Sequence, residues 1–195
     1  MPYDPKAHGA RCDECPLKGS RVVVPEGDSP IVIVGDSPGK AEADQGRPFA
    51  GPAGFKLNEL LRKAGLPGRD GLHLTNALLC RPEIPDEYGK KRYDVKGYLA
   101  WLRKENVRRK KEDHAPPLNN PFDCCAPRLK LELLEAEKLA QEAHAENPSQ
   151  FPTGAIVFPV GNFALAQTMG VEKRGSSVMK YRGSVIRMEP VEENG

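Results

Sequence analysis

Three short runs rich in apolar residues set the frame of this chain. Ile31-Val-Ile-Val34 is β-branched throughout, and Leu72-His-Leu-Thr75 and Ala155-Ile-Val-Phe158 are similar in length. Such runs predict strands, and a wholly apolar one predicts a strand buried on both faces. Between the first two, Leu57, Leu60, Leu61 and Ala64 recur at i, i+3, i+4 and i+7, which predicts a helix from Phe55 that Gly65 and Pro67 stop. A longer helix is expected over residues 127–145, with Leu129, Leu133, Ala136, Ala140 and Ala143 on one face. After the third strand Gly161 turns the chain, Asn162 is a candidate N-cap, and residues 163–169 form a short helix. Residues 178–191, around Arg182-Gly183, read as a hairpin.

Strand, helix, strand in this order implies a parallel βαβ unit, whose functional loops gather at the carboxyl ends of the strands. The expected fold class is α/β, a three-layer sandwich around a small central parallel sheet. At 195 residues one domain is expected, spanning 1–195, with an insertion at about 86–120. The first 30 residues hold Cys12, Cys15 and many turn formers, so they read as an irregular lobe.

Charge changes the picture in one place. Between Gly89 and His114, ten Lys or Arg face four acids, a local net of +6 in a chain of net +2. Tyr93, Tyr98 and Trp101 interleave with these basic residues. The block suits contact with phosphates, docking of a partner, or merely a solvated helix face. The N-terminus is polar and no apolar run reaches the length of a membrane span, so an intracellular, cytoplasmic protein without membrane attachment is expected.

Five cysteines in such a chain favour metal ligation over disulfides. Cys12 and Cys15 form a C-x2-C pair, Cys80 and Cys125 are distant, and Cys124 is a fifth. Four thiolates suit a tetrahedral zinc or a [4Fe–4S] cluster, and ligand chemistry alone leaves both open.

The loop after the first strand is more specific. Gly35-Asp-Ser-Pro-Gly-Lys-Ala-Glu42 runs on through Gly46-Arg-Pro-Phe49-Ala-Gly51-Pro-Ala-Gly54. With Thr75-Asn76, Cys80-Arg-Pro82, Val160-Gly161 and Arg182-Gly183, it resembles the family 4 uracil-DNA glycosylases over nearly the whole chain apart from the insertion. The resemblance implies a DNA repair hydrolase that cleaves the N-glycosidic bond of uracil in single- or double-stranded DNA. It implies a [4Fe–4S] cluster on Cys12, Cys15, Cys80 and Cys125, with zinc as the alternative. It casts Asp36, where the family usually has Glu, as the catalytic carboxylate that orients water. Phe49 would stack on the extruded base, Asn76 would read it, Ser37 would line the pocket and Glu42 would steady the loop. A carboxamide can donate to O4 of uracil and accept from N3–H, whereas cytosine reverses both partners.

The sequence departs from the family at its end. Family members continue past the Arg-Gly hairpin into a last strand, a His-Pro loop and a closing helix, whereas this sequence ends at Glu193-Asn194-Gly195. None of His8, His73, His114 or His144 lies in a His-Pro motif. The expected fold therefore lacks the last strand and closing helix and leaves a sheet edge uncovered. Two alternatives follow: one piece of a split enzyme completed by a second polypeptide, or a non-catalytic DNA-binding module attached to replication machinery. A zinc-stabilised α/β protein of unrelated function is the third.

Overall fold

The computed structural model describes residues 3–66, 68–84, 94–170 and 186. Three strands form one parallel sheet of order β2-β1-β3: β1 (Ile31–Gly35), β2 (His73–Asn76) and β3 (Ile156–Val160). The helices are α1 (Lys40–Gln45), α2 (Pro52–Lys63), α3 (Val95–Arg108), α4 (Pro121–Glu146) and α5 (Asn162–Met169). The α/β fold with a small parallel sheet is as the apolar runs predict.

β1 is central because it is apolar on both faces. Val32 and Val34 pack into the main core with Tyr98, Leu102, Phe122 and Leu129, while Ile33 packs on the opposite side with Phe49, Leu61, Leu72 and Leu74. Register then sets the site, since Gly35 pairs with Asn76 of β2 and with Val160 of β3. All three strands thus end side by side.

β3 differs from expectation. Its alternate residues Ile156, Phe158 and Val160 are exposed, Phe158 by 50%, so it is not a strand buried on both faces. It pairs only with β1 among the described residues, and it contains Pro159, which has no N–H for a further neighbour. The face predicted for α2 also shifts. Leu61 is buried but Leu60 is 52% exposed, and the helix starts at Pro52 rather than Phe55. Proline at N1 is favourable, because its missing N–H would be unbonded there anyway.

α4 begins six residues before the predicted start, with the Asn120 side chain accepting from the Phe122 amide. Pro127 therefore sits inside the helix, where it leaves the carbonyl four residues back without a donor. Arg11 fills that place, its Nη2 donating to the Asp123 carbonyl at 2.9 Å. The irregular N-terminal lobe is tied to the sheet by antiparallel bridges, Val22 with Cys80 and Glu26 with Leu74.

The basic segment is not a mere decoration. α3 buries Tyr98, Leu99 and Leu102 in the main core, and Tyr98 packs against Trp101 at 5.2 Å between ring centres. Tyr98 is thus unavailable to stack on a base. Arg108 is paired with Glu105, Glu112 and Asp113. Tyr93 and the predicted hairpin around Arg182-Gly183 lie outside the described residues. Among those residues, no helix is long and apolar enough to cross a membrane.

Candidate active site

Gly35 is the meeting point of the site. Its absent Cβ would overlap the Asn76 Oδ1 and come within 3.2 Å of the tip of the Phe49 ring. The carboxamide and the ring therefore converge over the last residue of β1, and only glycine leaves them room. Asn76 is 5% exposed and Phe49 is likewise buried.

Phe49 adopts φ +51°, a left-handed conformation that is costly for a side chain of this size. Arg69 holds it there. Its Nη1 donates to the Phe49 carbonyl at 2.9 Å, and its Nη2 donates to the Pro48 carbonyl at 2.7 Å and to Glu26 at 2.8 Å. An open cavity of about 270 Å³ adjoins this segment, lined by Gln45, Arg47, Phe49, Ala50, Phe55, Asn58 and Arg69. Asp36 and Asn76 do not line it. Glu42 is buried in α1 and accepts the Gly51 amide at 2.9 Å, which ties α1 to the start of α2 and closes the loop that carries Phe49.

Asp36, one residue beyond β1, turns towards α5. Its Oδ1 accepts the Phe163 and Ala164 amides at 2.9 and 2.8 Å. The N-cap residue is Gly161 rather than the expected Asn162, and the capping oxygen comes from Asp36 instead. Gly161 has φ +130°, and a Cβ there would collide with the Asp36 carboxylate. Burial raises the Asp36 pKa above its ordinary value, against the opposing pull of the two amides and of Lys96. Ser37 follows, half-buried, in the same bend.

Arg128 of α4 was not singled out by the sequence patterns. It is fully buried, 0% exposed, and donates from Nη2 to the Asn76 carbonyl at 2.7 Å and the Ala77 carbonyl at 3.2 Å. From Nη1 it donates to Thr75 Oγ1 at 3.0 Å and Glu132 at 2.8 Å. Glu132 also accepts from the Tyr3 hydroxyl at 3.0 Å and lies 3.4 Å from His73 Nε2. Against the cost of burial, His73 and Arg128 hold the Glu132 carboxyl down at about 2. His73 shifts upward, its burial outweighed by hydrogen bonds to Glu132 and the Gly27 carbonyl.

The five cysteines are free thiols of the N-terminal lobe, the loop after β2 and the first turns of α4. Burial first, and then neighbouring thiols, push Cys15 and Cys80 up to about 12. Cys12 shifts upward for the same reasons, and Cys124 is hydrogen-bonded with Cys15. Among the described residues, no group of three or more His, Cys, Asp or Glu side chains is gathered closely enough to hold a metal ion. The donor set itself, buried and half-buried thiols acting electrostatically on one another, has the chemistry of thiolate ligation. A cation would stabilise the thiolates that burial disfavours.

Residues 22–186 match the family model described as the uracil DNA glycosylase superfamily. A "Type-4 uracil-DNA glycosylase" of Thermotoga maritima is 47% identical over 76 residues, covering 37% of this chain and 39% of that protein. One from Pyrobaculum aerophilum is 40% identical over 95 residues, 47% of each chain. Another, from Archaeoglobus fulgidus, is 48% identical over 52 residues, 27% of this chain and 26% of that protein. The chain thus spans less than half the length of the curated relatives it matches.

Proposed function

The chain belongs to the uracil DNA glycosylase superfamily, and from that premise we propose that it is a type-4 enzyme hydrolysing the N-glycosidic bond of uracil in DNA. The observation that carries the reading is the convergence of the Phe49 ring and the Asn76 carboxamide over Gly35, at the tips of two neighbouring parallel strands.

Cleaving a base from deoxyribose places positive charge on the sugar and negative charge on the departing uracil. The target nucleotide must first leave the stack. Phe49, locked by Arg69, packs against Ile33 and Leu61 but also lines the open cavity, and on that side an extruded base of any identity would stack. Asn76 supplies identity. A wrong base would leave its buried amide unpaired, at about 1–3 kcal/mol for each lost partner. Asp36 commits Oδ1 to α5, so Oδ2 is the oxygen that would orient the attacking water and favour the sugar cation. The helix amides fix the direction of that carboxylate before substrate arrives. Glu42 maintains the loop, and Ser37, beside Asp36, would line the pocket wall.

Cys12, Cys15, Cys80 and Cys125 would hold a [4Fe–4S] cluster, with Cys124 as a buried neighbour of Cys15. When bound, such a group would supply structural closure, tying the lobe and the loop after β2 to α4. The whole chain acts as one glycosylase domain with an insertion at about 86–120, and its DNA substrate implies an intracellular site of action.

Purified chain incubated with single- and double-stranded oligonucleotides carrying one uracil tests the proposal. Release of free uracil, with no release of cytosine, is the expected result. Salt-sensitive DNA binding without release contradicts the enzymatic reading and supports a non-catalytic module. Release only on addition of a polypeptide bearing a His-Pro loop identifies a split enzyme.

A further inference from the structure

Thr75, Asn76 and Ala77 are consecutive, and Arg128 binds all three. It takes the Thr75 hydroxyl with Nη1 and the Asn76 and Ala77 carbonyls with Nη2. These carbonyls lie where β2 ends and the chain bends away, beyond the last sheet pairing of Asn76 with Gly35. Inside the protein, a carbonyl there has no water to turn to. Both peptide planes follow the Asn76 Cα; with the sheet pairing and the Thr75 hydroxyl holding the chain before it, they fix the direction in which the Asn76 side chain leaves the backbone. A guanidinium suits this task because its donors form a rigid planar fork, whereas an ammonium is a compact point charge. The Arg128 charge is in turn anchored by Glu132, one turn further along the same helix, at 2.8 Å.

We propose that Arg128 is the positioning residue for base recognition, holding the Asn76 carboxamide in reading orientation through the two carbonyls that follow the Asn76 Cα and the Thr75 hydroxyl that precedes it. The proposal rests on the reading of Asn76 as the base-binding amide. It also gives the thiol lobe a mechanical link to the pocket. Cys124 and Cys125 stand one turn before Arg128 on α4, so whatever fixes that turn also fixes the tip of β2.

A double-mutant cycle tests it. Single-turnover uracil excision is measured for the wild type, Arg128→Lys, Asn76→Ala and the double variant. Arg128→Lys is expected to slow excision by about 10- to 100-fold, the usual consequence of misplacing a reacting contact by a fraction of an ångström to an ångström. In the Asn76→Ala background it should change the rate by less than about twofold, because residues acting as one unit are not additive. Thr75→Val removes the hydroxyl that accepts from Arg128 and donates to Glu132, and leaves every charge in place. It carries the same cycle with a smaller effect, about threefold or more, if Arg128→Lys does not fold. A readout independent of turnover is the side-chain amide resonance pair of Asn76, with and without saturating free uracil. Arg128→Lys should shift that pair and abolish its response to uracil. Equal losses in both backgrounds, or an unmoved Asn76 resonance pair, overturn the positioning role and leave the base-reading role standing. If Asn76→Ala excises as fast as wild type, or the wild-type resonances ignore uracil, the base-reading role itself falls and the positioning role falls with it.

Discussion

Asn76 ends β2 and is held through its main chain, by a guanidinium on its carbonyl, whereas Asp36, just past β1, is held through its side chain, by two amides of α5. The first arrangement leaves the whole carboxamide available to a ligand while its direction is fixed from behind. The second commits one carboxylate oxygen to the fold and leaves the other. The two tips therefore respond differently to change. On the Asn76 side, stability and geometry depend on buried charges that must stay paired. On the Asp36 side they depend on a cap that a neutral oxygen can also supply.

The largest effect is expected where the buried charge loses its partner. Glu132→Ala leaves the fully buried Arg128 without a counter-ion and should destabilise the chain by about 3–5 kcal/mol, measured by urea unfolding. The pH dependence has the same origin. The Glu132 carboxyl falls from 4.5 to about 2 in the folded chain, so its contribution is complete above 4.5 and is lost as pH falls towards 2. Unfolding midpoints should drop across that window in the wild type, and the Glu132→Ala variant should lack this part of the drop.

Asp36→Asn comes next. The amide oxygen can still accept from Phe163 and Ala164, so the melting temperature should stay close to wild type while excision falls by about 100- to 1,000-fold. Asp36→Ala removes the cap as well and should cost roughly 1 kcal/mol of stability. In the wild type, excision should rise with pH through a pKa above the 3.8 of an ordinary aspartate, since burial raises this carboxyl and the ionised form is the useful one. A pH–rate profile in which Asp36→Asn keeps the same acid limb would contradict that assignment.

Phe49→Ala should weaken binding of uracil-containing DNA by about 1–3 kcal/mol through lost stacking, with little change in affinity for undamaged duplex, as titrations of both DNAs would register. The smallest effect belongs to the outer strand. Phe158 is 50% exposed on β3, and Phe158→Ser should alter stability by no more than about 0.5 kcal/mol in the same urea experiment.

The contrast between strands marks what the sequence discloses. β1 is legible because a β-branched run bounded by turn residues has few other uses, and the loop after it because its glycines and carboxylates sit in a specific order. β3 reads equally apolar, but burial depends on what covers a strand, and hydrophobicity alone does not encode that. Its one local signal is Pro159, a residue suited to an edge. Asn162 reads as a cap from its residue type, yet the cap comes from Asp36, 126 positions earlier in the chain. No window of local sequence contains such a pairing. Arg128 is missed for a related reason, since arginine on a helix is ordinarily taken for a solvated residue. A faint signal exists. Arg128 and Glu132 are four apart and fall on the stripe of Cys125, Leu129, Ala136 and Ala140, all buried, where a charged pair has no solvent to face. Tyr98 errs in the opposite direction, because its basic neighbours suggest a surface aromatic while its own helix face turns it into the core.

Gly35→Ala addresses the pocket most directly, because one added methyl group would occupy the place where the Asn76 amide and the Phe49 ring meet. The Gly35 backbone lies in an ordinary strand, so alanine imposes no conformational strain of its own. Uracil excision by this variant, measured beside its thermal melting, should fall by about 100-fold or more while the chain remains folded. Wild-type excision by folded Gly35→Ala would mean that the base is not held between that ring and that amide.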